Sequence, residues 1–200
     1  SDEDVYKKIA VCEDMFISRG LKPTYKITPF IQPENLDDIL ACRGYEILHR
    51  ISVQTMNLSN IEEPDVQVEI RHTNLNDEWF DFYCNFNNLS GDNRIIYRKM
   101  LNNLFPKSFY TTMYVENEGI ACGMAVLEKG YLGLFDITVR KDHRNKGYGK
   151  QLLYSIIKHG KNLVAHKAYL QVMVNNEPAN HLYKKLGFKE EYQYYYRVKF

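Results

Sequence analysis

The chain has 200 residues, enough for one large α/β domain or for a full domain with a smaller appendage. Hydrophobic residues make up 44% and charged residues 26%, a globular composition that excludes general disorder. Lysine plus arginine number 26 against 25 aspartate plus glutamate, so no broad positive field draws the chain to nucleic acid or to an anionic membrane, and any anion site must be local.

Cys12, Cys42, Cys84 and Cys122 lie far apart and lack the close pairing of metal sites and thiol redox motifs, so they read as reduced core residues with no metal. The chain shows no basic segment followed by an apolar run at its start, and no stretch of about eighteen apolar residues. The expectation is a soluble, cytoplasmic protein.

Val5, Ile9, Cys12 and Phe16 recur at helical spacing, and the pattern stops at Arg19 and Gly20. Tyr25 to Thr28 reads as a short strand, Leu36, Ile39 and Leu40 as a helix ending at Gly44, and Val53 to Leu58 as a strand. The polar stretch Ser59 to Asp65 holds a proline and no periodicity, so residues 59–65 are expected to link an N-terminal segment, 1–58, to a main domain, 66–200.

From Val66 the pattern is strand, then two helical stretches across residues 76–104. Phe109 to Glu116 and Ile120 to Leu127 are β-rich and are separated by Asn117 to Gly119, a hairpin signal. Tyr131 to Val139 is apolar on both faces, as in a covered central strand. A helix carrying Leu152, Leu153, Ile156 and Ile157 begins near Gly147. Tyr169 to Val174 is a further strand, Ala179, Leu182, Tyr183 and Leu186 line a helix, and Tyr192 to Phe200 closes the chain as an aromatic strand. This order is a mixed α/β domain. A shift of 143 positions lays the early strand, helix and Gly44-Tyr45 over the late strand, helix and Gly187-Phe188. Residues 1–58 are then either a half domain without its phosphate loop or an unrelated helical extension.

The stretch from Val139 to Leu153 runs from an apolar strand through a short basic turn into a helix. Backbone N–H groups at a helix start lack internal partners and the helix dipole is positive there, so a pyrophosphate can settle if no side chain obstructs it. Gly147 and Gly149 leave the approach open, and Arg144, Lys146 and Lys150 add positive charge. The alternative reading is a solvated, glycine-capped turn. No hydroxyl residue follows the lysine to hold magnesium and a third glycine is missing, so triphosphate and dinucleotide loops are disfavoured.

The run RNKGYG resembles the pyrophosphate-binding signature of the GNAT superfamily of N-acetyltransferases, and NEPANHLYKKLGF, from Asn176 to Phe188, is similar to that family's N-x-x-A-x-x-L-Y-x-x-x-G-F helix at matching spacing. The resemblance implies a GNAT fold, α/β of mixed α+β type, with a central, mostly antiparallel sheet, a splayed parallel strand pair and helices on both faces. It implies acetyl-CoA as cosubstrate. Its pantetheine arm would bond backbone groups of Ile137, Thr138 and Val139. Its pyrophosphate would lie on the loop Arg144, Asn145, Lys146, Gly147, Tyr148, Gly149, Lys150, and Asn176 would bond the pantetheine arm.

Tyr183 corresponds to the family tyrosine near the cofactor sulfur; a phenol with a pKa near 10 stays protonated and can donate to a departing thiolate. The plain alternative is aromatic packing on its helix. A base is also needed, because an alkylammonium of pKa about 10.4 is only about 0.04% neutral at pH 7. One branch of the family carries a glutamate early on the central strand, but the matching position here is Gly133. Asp136, alone in an apolar strand, either takes a catalytic or acceptor-binding role or is satisfied structurally. His143 is expected to face solvent. The run Tyr194 to Tyr196 packs on the core or on a second copy of the chain in a homodimer.

The expected reaction is direct acetyl transfer from acetyl-CoA to a primary amine in a ternary complex, without metal, and the amine acceptor is of unknown identity. The alternatives are a non-catalytic acetyl-CoA sensor or structural module, and a transferase of a longer acyl group. No nucleic acid and no membrane partner is expected.

Overall fold

The computed structural model describes residues 2–59 and 68–200. Among them are six α-helices: α1 (Asp2–Ile17), α2 (Leu36–Cys42), α3 (Asp77–Phe86), α4 (Gly91–Asn102), α5 (Tyr148–Asn162) and α6 (Glu177–Leu186). Eight strands accompany them: β1 (Thr24–Ile27), β2 (Glu46–Asn57), β3 (Glu69–Thr73), β4 (Lys107–Val115), β5 (Glu118–Glu128), β6 (Tyr131–Val139), β7 (Lys167–Met173) and β8 (Lys189–Val198). The expected mixed α/β class and mostly antiparallel strand pairing hold. Of the stretch 59–65 expected to be a linker, residues 60–65 lie outside the described residues.

Two compact units form, and neither is continuous in sequence. The first comprises residues 1–53, 171–177 and 190–200, the second residues 54–170 and 178–189. In the first unit β1 runs antiparallel to β8, with Ile27 opposite Tyr195. Ile9, Ile27, Ile39, Leu40 and Tyr45 form its core. Asp37 takes both forks of the Arg197 guanidinium at 2.7 and 3.0 Å, a bidentate pairing that fixes the geometry of both side chains.

In the second unit β4 pairs antiparallel with β3 and β5, and β5 with β6. The parallel pairing of β6 with β7 covers Tyr131, Leu132 and Gly133 opposite Lys167, Ala168 and Tyr169, and does not extend to Leu134 and Leu170. This short register is the expected splayed parallel pair. Side chains alternate across a strand, and the two faces are covered by different helices. On one face Cys122 and Met124 pack with Trp79, Phe80 and Cys84 of α3 and Leu101 of α4. On the other, a Cβ at Gly123 would meet Ile137 of β6 and Ile156 of α5. Leu152, Leu153, Ile156 and Ile157 of α5 are wholly buried, each contributing about 1.5–3 kcal/mol on transfer from water.

Three local readings change. β2 starts at Glu46, well before the expected Val53; its first five residues are exposed and His49 has φ 50°, so no burial alternation marked them. The β4–β5 turn sits at Glu116 (φ 50°) and Asn117 (φ 66°), not at Asn117 to Gly119. Gly119 belongs to β5, where the Phe82 ring would lie 2.5 Å from a Cβ. Cys42 is exposed, not a core residue, whereas Cys84 and Cys122 are buried.

Candidate active site

The site is organised by a defect in β6. Cys122 pairs with Thr138 and Met124 with Phe135, so Gly123 faces two residues, Asp136 and Ile137, and Asp136 takes φ 55°. Such a bulge bends the strand and re-aims a side chain, and a non-glycine residue at positive φ signals a constraint set by its surroundings. The constraint is visible. Trp79 Nε1–H donates to the Gly123 carbonyl at 3.0 Å, and the Tyr83 hydroxyl donates to Asp136 Oδ1 at 3.0 Å. The Tyr97 hydroxyl donates to Asp136 Oδ2. Burial pushes the Asp136 carboxyl above its usual range, and the phenols of Tyr97 and Tyr83 partly oppose that rise. Asp136 is thus satisfied by side chains rather than by backbone donors.

It also faces open space. A cavity of about 670 Å³ lies between α4 and strands β5 and β6, with Asp136 and Tyr97 in its wall. Ile96 and Met100 of α4, with Leu104 just past its end, form one side and Met124, Val126 and Phe135 the other. This size falls within the roughly 300–1,000 Å³ typical of small-molecule sites. Tyr83 and Tyr97 were missed at the level of sequence, because each lies on the apolar stripe of its helix and nothing local distinguishes a packing phenol from a donating one.

Gly133 explains the missing early acid. A Cβ there would lie 2.6 Å from both Phe135 Cε2 and the Tyr169 hydroxyl, so a side chain at that position would have to displace both rings.

The loop expected to take a pyrophosphate leaves β6 through a 3₁₀ turn at Lys141–His143. Gly147, at φ 83°, is the N-cap of α5, and no side chain caps that helix start. The N–H groups of residues 145–149 find no backbone acceptor among the described residues. A Cβ at Gly147 would meet nothing within 4 Å. Bare donors in open space at a positive helix end fit a pyrophosphate. Arg144 Nε donates to the Val139 carbonyl at 3.0 Å, tying the loop to the end of β6. The built Cβ position of Gly149 lies 3.4 Å from Leu182 of α6 and 3.6 Å from Val139, so β6, the loop and α6 meet at this glycine. Lys146 and Lys150 are exposed, with Tyr148 half-buried.

Tyr183 follows Leu182 on α6. Its ring packs on Phe188 at 5.9 Å, and its hydroxyl has no hydrogen-bond partner among the described residues. Burial raises its pKa. Ile137 is the second residue of the bulge and covers Gly123, and Thr138 follows it opposite Cys122. Asn176 belongs to the other unit, where its N–H donates to the Met173 carbonyl at 2.9 Å. His143 departs from expectation: it does not face solvent but holds Asp142 at 3.0 Å, with its side chain 17% exposed. Arg140, and then His143, hold the Asp142 carboxyl far below its usual range.

Among the described residues no cluster of three His, Cys, Asp or Glu could hold a metal, and no helix is long and apolar enough to cross a membrane. An uncharacterised N-acetyltransferase of Bacillus subtilis, YobR, is 28% identical over 199 residues, covering 94% of this chain and 77% of the relative. An N-alpha-acetyltransferase of Sulfurisphaera tokodaii is 42% identical over 66 residues, covering 32% of this chain and 38% of its own. A GCN5-related N-acetyltransferase structure from Kribbella flavida superposes with a TM-score of 0.71 at 12% identity, covering 94% of this chain and 72% of that one. The model of the acetyltransferase (GNAT) family matches residues 72–188, a span that holds β6, the bulge, the open loop and α6. The chain is a member of the GNAT acetyltransferase family, an acyltransferase.

Proposed function

We propose that the chain transfers the acetyl group of acetyl-CoA to a primary amine by direct attack in a ternary complex. The observation that carries this reading is Asp136, lodged in the strand bulge with its carboxylate facing an open cavity next to the residues suited to the coenzyme. The N–H groups of the loop from Arg144 to Lys150 would hold the pyrophosphate, and the backbone of Ile137, Thr138 and Val139 the pantetheine arm. Backbone N–H groups beyond the bulge would polarise the thioester carbonyl, a contribution often worth roughly 3–4 kcal/mol.

Asp136 would receive the ammonium and take its proton, directly or through water. A carboxylate whose proton affinity is raised by burial accepts a proton more readily than an exposed one. Tyr183 would donate to the departing thiolate; it stays protonated at neutral pH, and its hydroxyl has no protein acceptor among the described residues. We read the chain as working in the cytoplasm, alone or as a homodimer, without nucleic acid or membrane.

Asp136→Asn tests the assignment with two readouts. A folded-state pKa above the unfolded one means that ionised Asp136 is a burden at neutral pH, so stability contributed by the protonated form is lost as pH rises. Asparagine also tolerates positive φ. The variant is expected to melt no lower than the parent at pH 7 while free-thiol release from acetyl-CoA with a primary amine falls about 100-fold. Unchanged release would remove Asp136 from the reaction.

A further inference from the structure

The cavity beside Asp136 has a charge pattern that selects among amines. Among the described residues in its wall Asp136 is the single acid, and Lys99 is the single base. The remaining wall is almost wholly apolar, and the side chains of α4 and of the segment just after it that border it are left open to water: Ile96 is 55% exposed, Met100 61% and Leu104 38%. Ile96 and Met100 lie one turn apart on α4, Leu104 follows just past its end, and the neighbouring Leu101 is buried. An apolar stripe bordering a cavity gains free energy from an apolar occupant.

We infer that the acceptor is a small monoamine whose single ammonium sits on Asp136 and whose aromatic or alkyl body lies against Ile96, Met100 and Leu104. The inference rests on the transferase reading and narrows its acceptor. One carboxylate, fixed by the hydroxyls of Tyr83 and Tyr97, balances one cationic nitrogen. A second ammonium, as in a polyamine or aminoglycoside, would leave water for an apolar wall with no counter-ion and with Lys99 as a like charge. The apolar surroundings also disfavour the charged amine, bringing it closer to the neutral form that attacks.

The test is kcat/KM by free-thiol release with acetyl-CoA over n-alkylamines from propyl to hexyl, 2-phenylethylamine, spermidine, kanamycin and a lysine-containing peptide. Burial of each added methylene is expected to raise kcat/KM about 3- to 4-fold, and 2-phenylethylamine to exceed spermidine by about 100-fold. Met100→Glu, at an exposed position that tolerates the change, should flatten the chain-length slope and narrow the gap to spermidine. A flat slope in the parent, or preference for spermidine, kanamycin or the peptide, overturns the acceptor class and leaves acetyl transfer standing. Bound acetyl-CoA with no thiol release for any amine overturns the transfer reading, and the class with it.

Discussion

Two stretches of the chain run through the same order of elements, and they differ at the positions where the proposed chemistry would lie. β1 begins at Thr24 and β7 at Lys167, β2 at Glu46 and β8 at Lys189, each pair 143 positions apart, with α2 and α6 between them. Gly44 and Gly187 follow these helices at φ 82° and 98°, both in the left-handed region that favours glycine. At the same shift, Gly147 corresponds to Asp4, which pairs with Lys8 at 2.7 Å, and Tyr183 corresponds to Leu40, which is fully buried. One set of elements thus supports two uses. A bare helix start and a polar ring suit a cofactor, whereas an acid in the first turn and an aliphatic side chain stabilise the helix and its core.

Substitutions that exchange or remove these corresponding residues sharpen the contrast. Leu40→Ala should have the largest effect, lowering stability by about 2–5 kcal/mol, because a wholly buried leucine leaves a cavity; denaturant melts measure it, and a loss below 1 kcal/mol would deny the front stretch a core role. Gly147→Asp, which installs the front residue in the back stretch, should weaken coenzyme A binding by roughly 100-fold by calorimetry, since it sets a negative charge where a pyrophosphate would lie. Gly147 lies at φ 83°, a conformation strained for a side chain but best tolerated by aspartate and asparagine, so a denaturant melt of the variant accompanies the titration. Tyr183→Phe should lower kcat about 10- to 100-fold with the Kd for acetyl-CoA within about twofold, a split that a packing role would not produce.

The smallest effect concerns pH. His72 bonds Thr111 at 2.9 Å and Ser155 at 3.1 Å, and stacks on His159 at 4.3 Å. Burial, then His159, pushes its pKa down to about 4; burial, then Lys107, also lowers that of His159. A histidine depressed below its unfolded value of about 6.5 stabilises the fold above that pH, and the stability is lost as pH falls towards about 4. The melting midpoint should drop by roughly 5 °C between pH 7.5 and 5. His159→Phe, the residue found at the corresponding Phe16, should make that drop shallower; an unchanged drop would locate the response elsewhere.

The family signatures were legible because main-chain chemistry is local. A glycine-opened helix start after an apolar strand, and a helix with Tyr183 three residues before Leu186, are properties of consecutive residues, and the loop and helix stand where their spacing put them. The termini of β6 were equally plain, since nine mostly apolar residues make a run that no turn interrupts. The two interleaved units were not legible as a continuous division of the chain, because residues 171–177 and 190–200 join the first by tertiary contact alone.

Sequence by itself determined the strand, the open loop and the helix of a GNAT acetyltransferase, because hydrophobic period, glycine and helix dipole act over a few residues. Tertiary structure alone decided what Asp136 does with its charge. Tyr83 and Tyr97 come from two other helices, the cavity lies between α4 and the sheet, and Tyr169 closes the space above Gly133. Hydrogen bonds and free volume between elements distant in the chain leave no periodic trace in it.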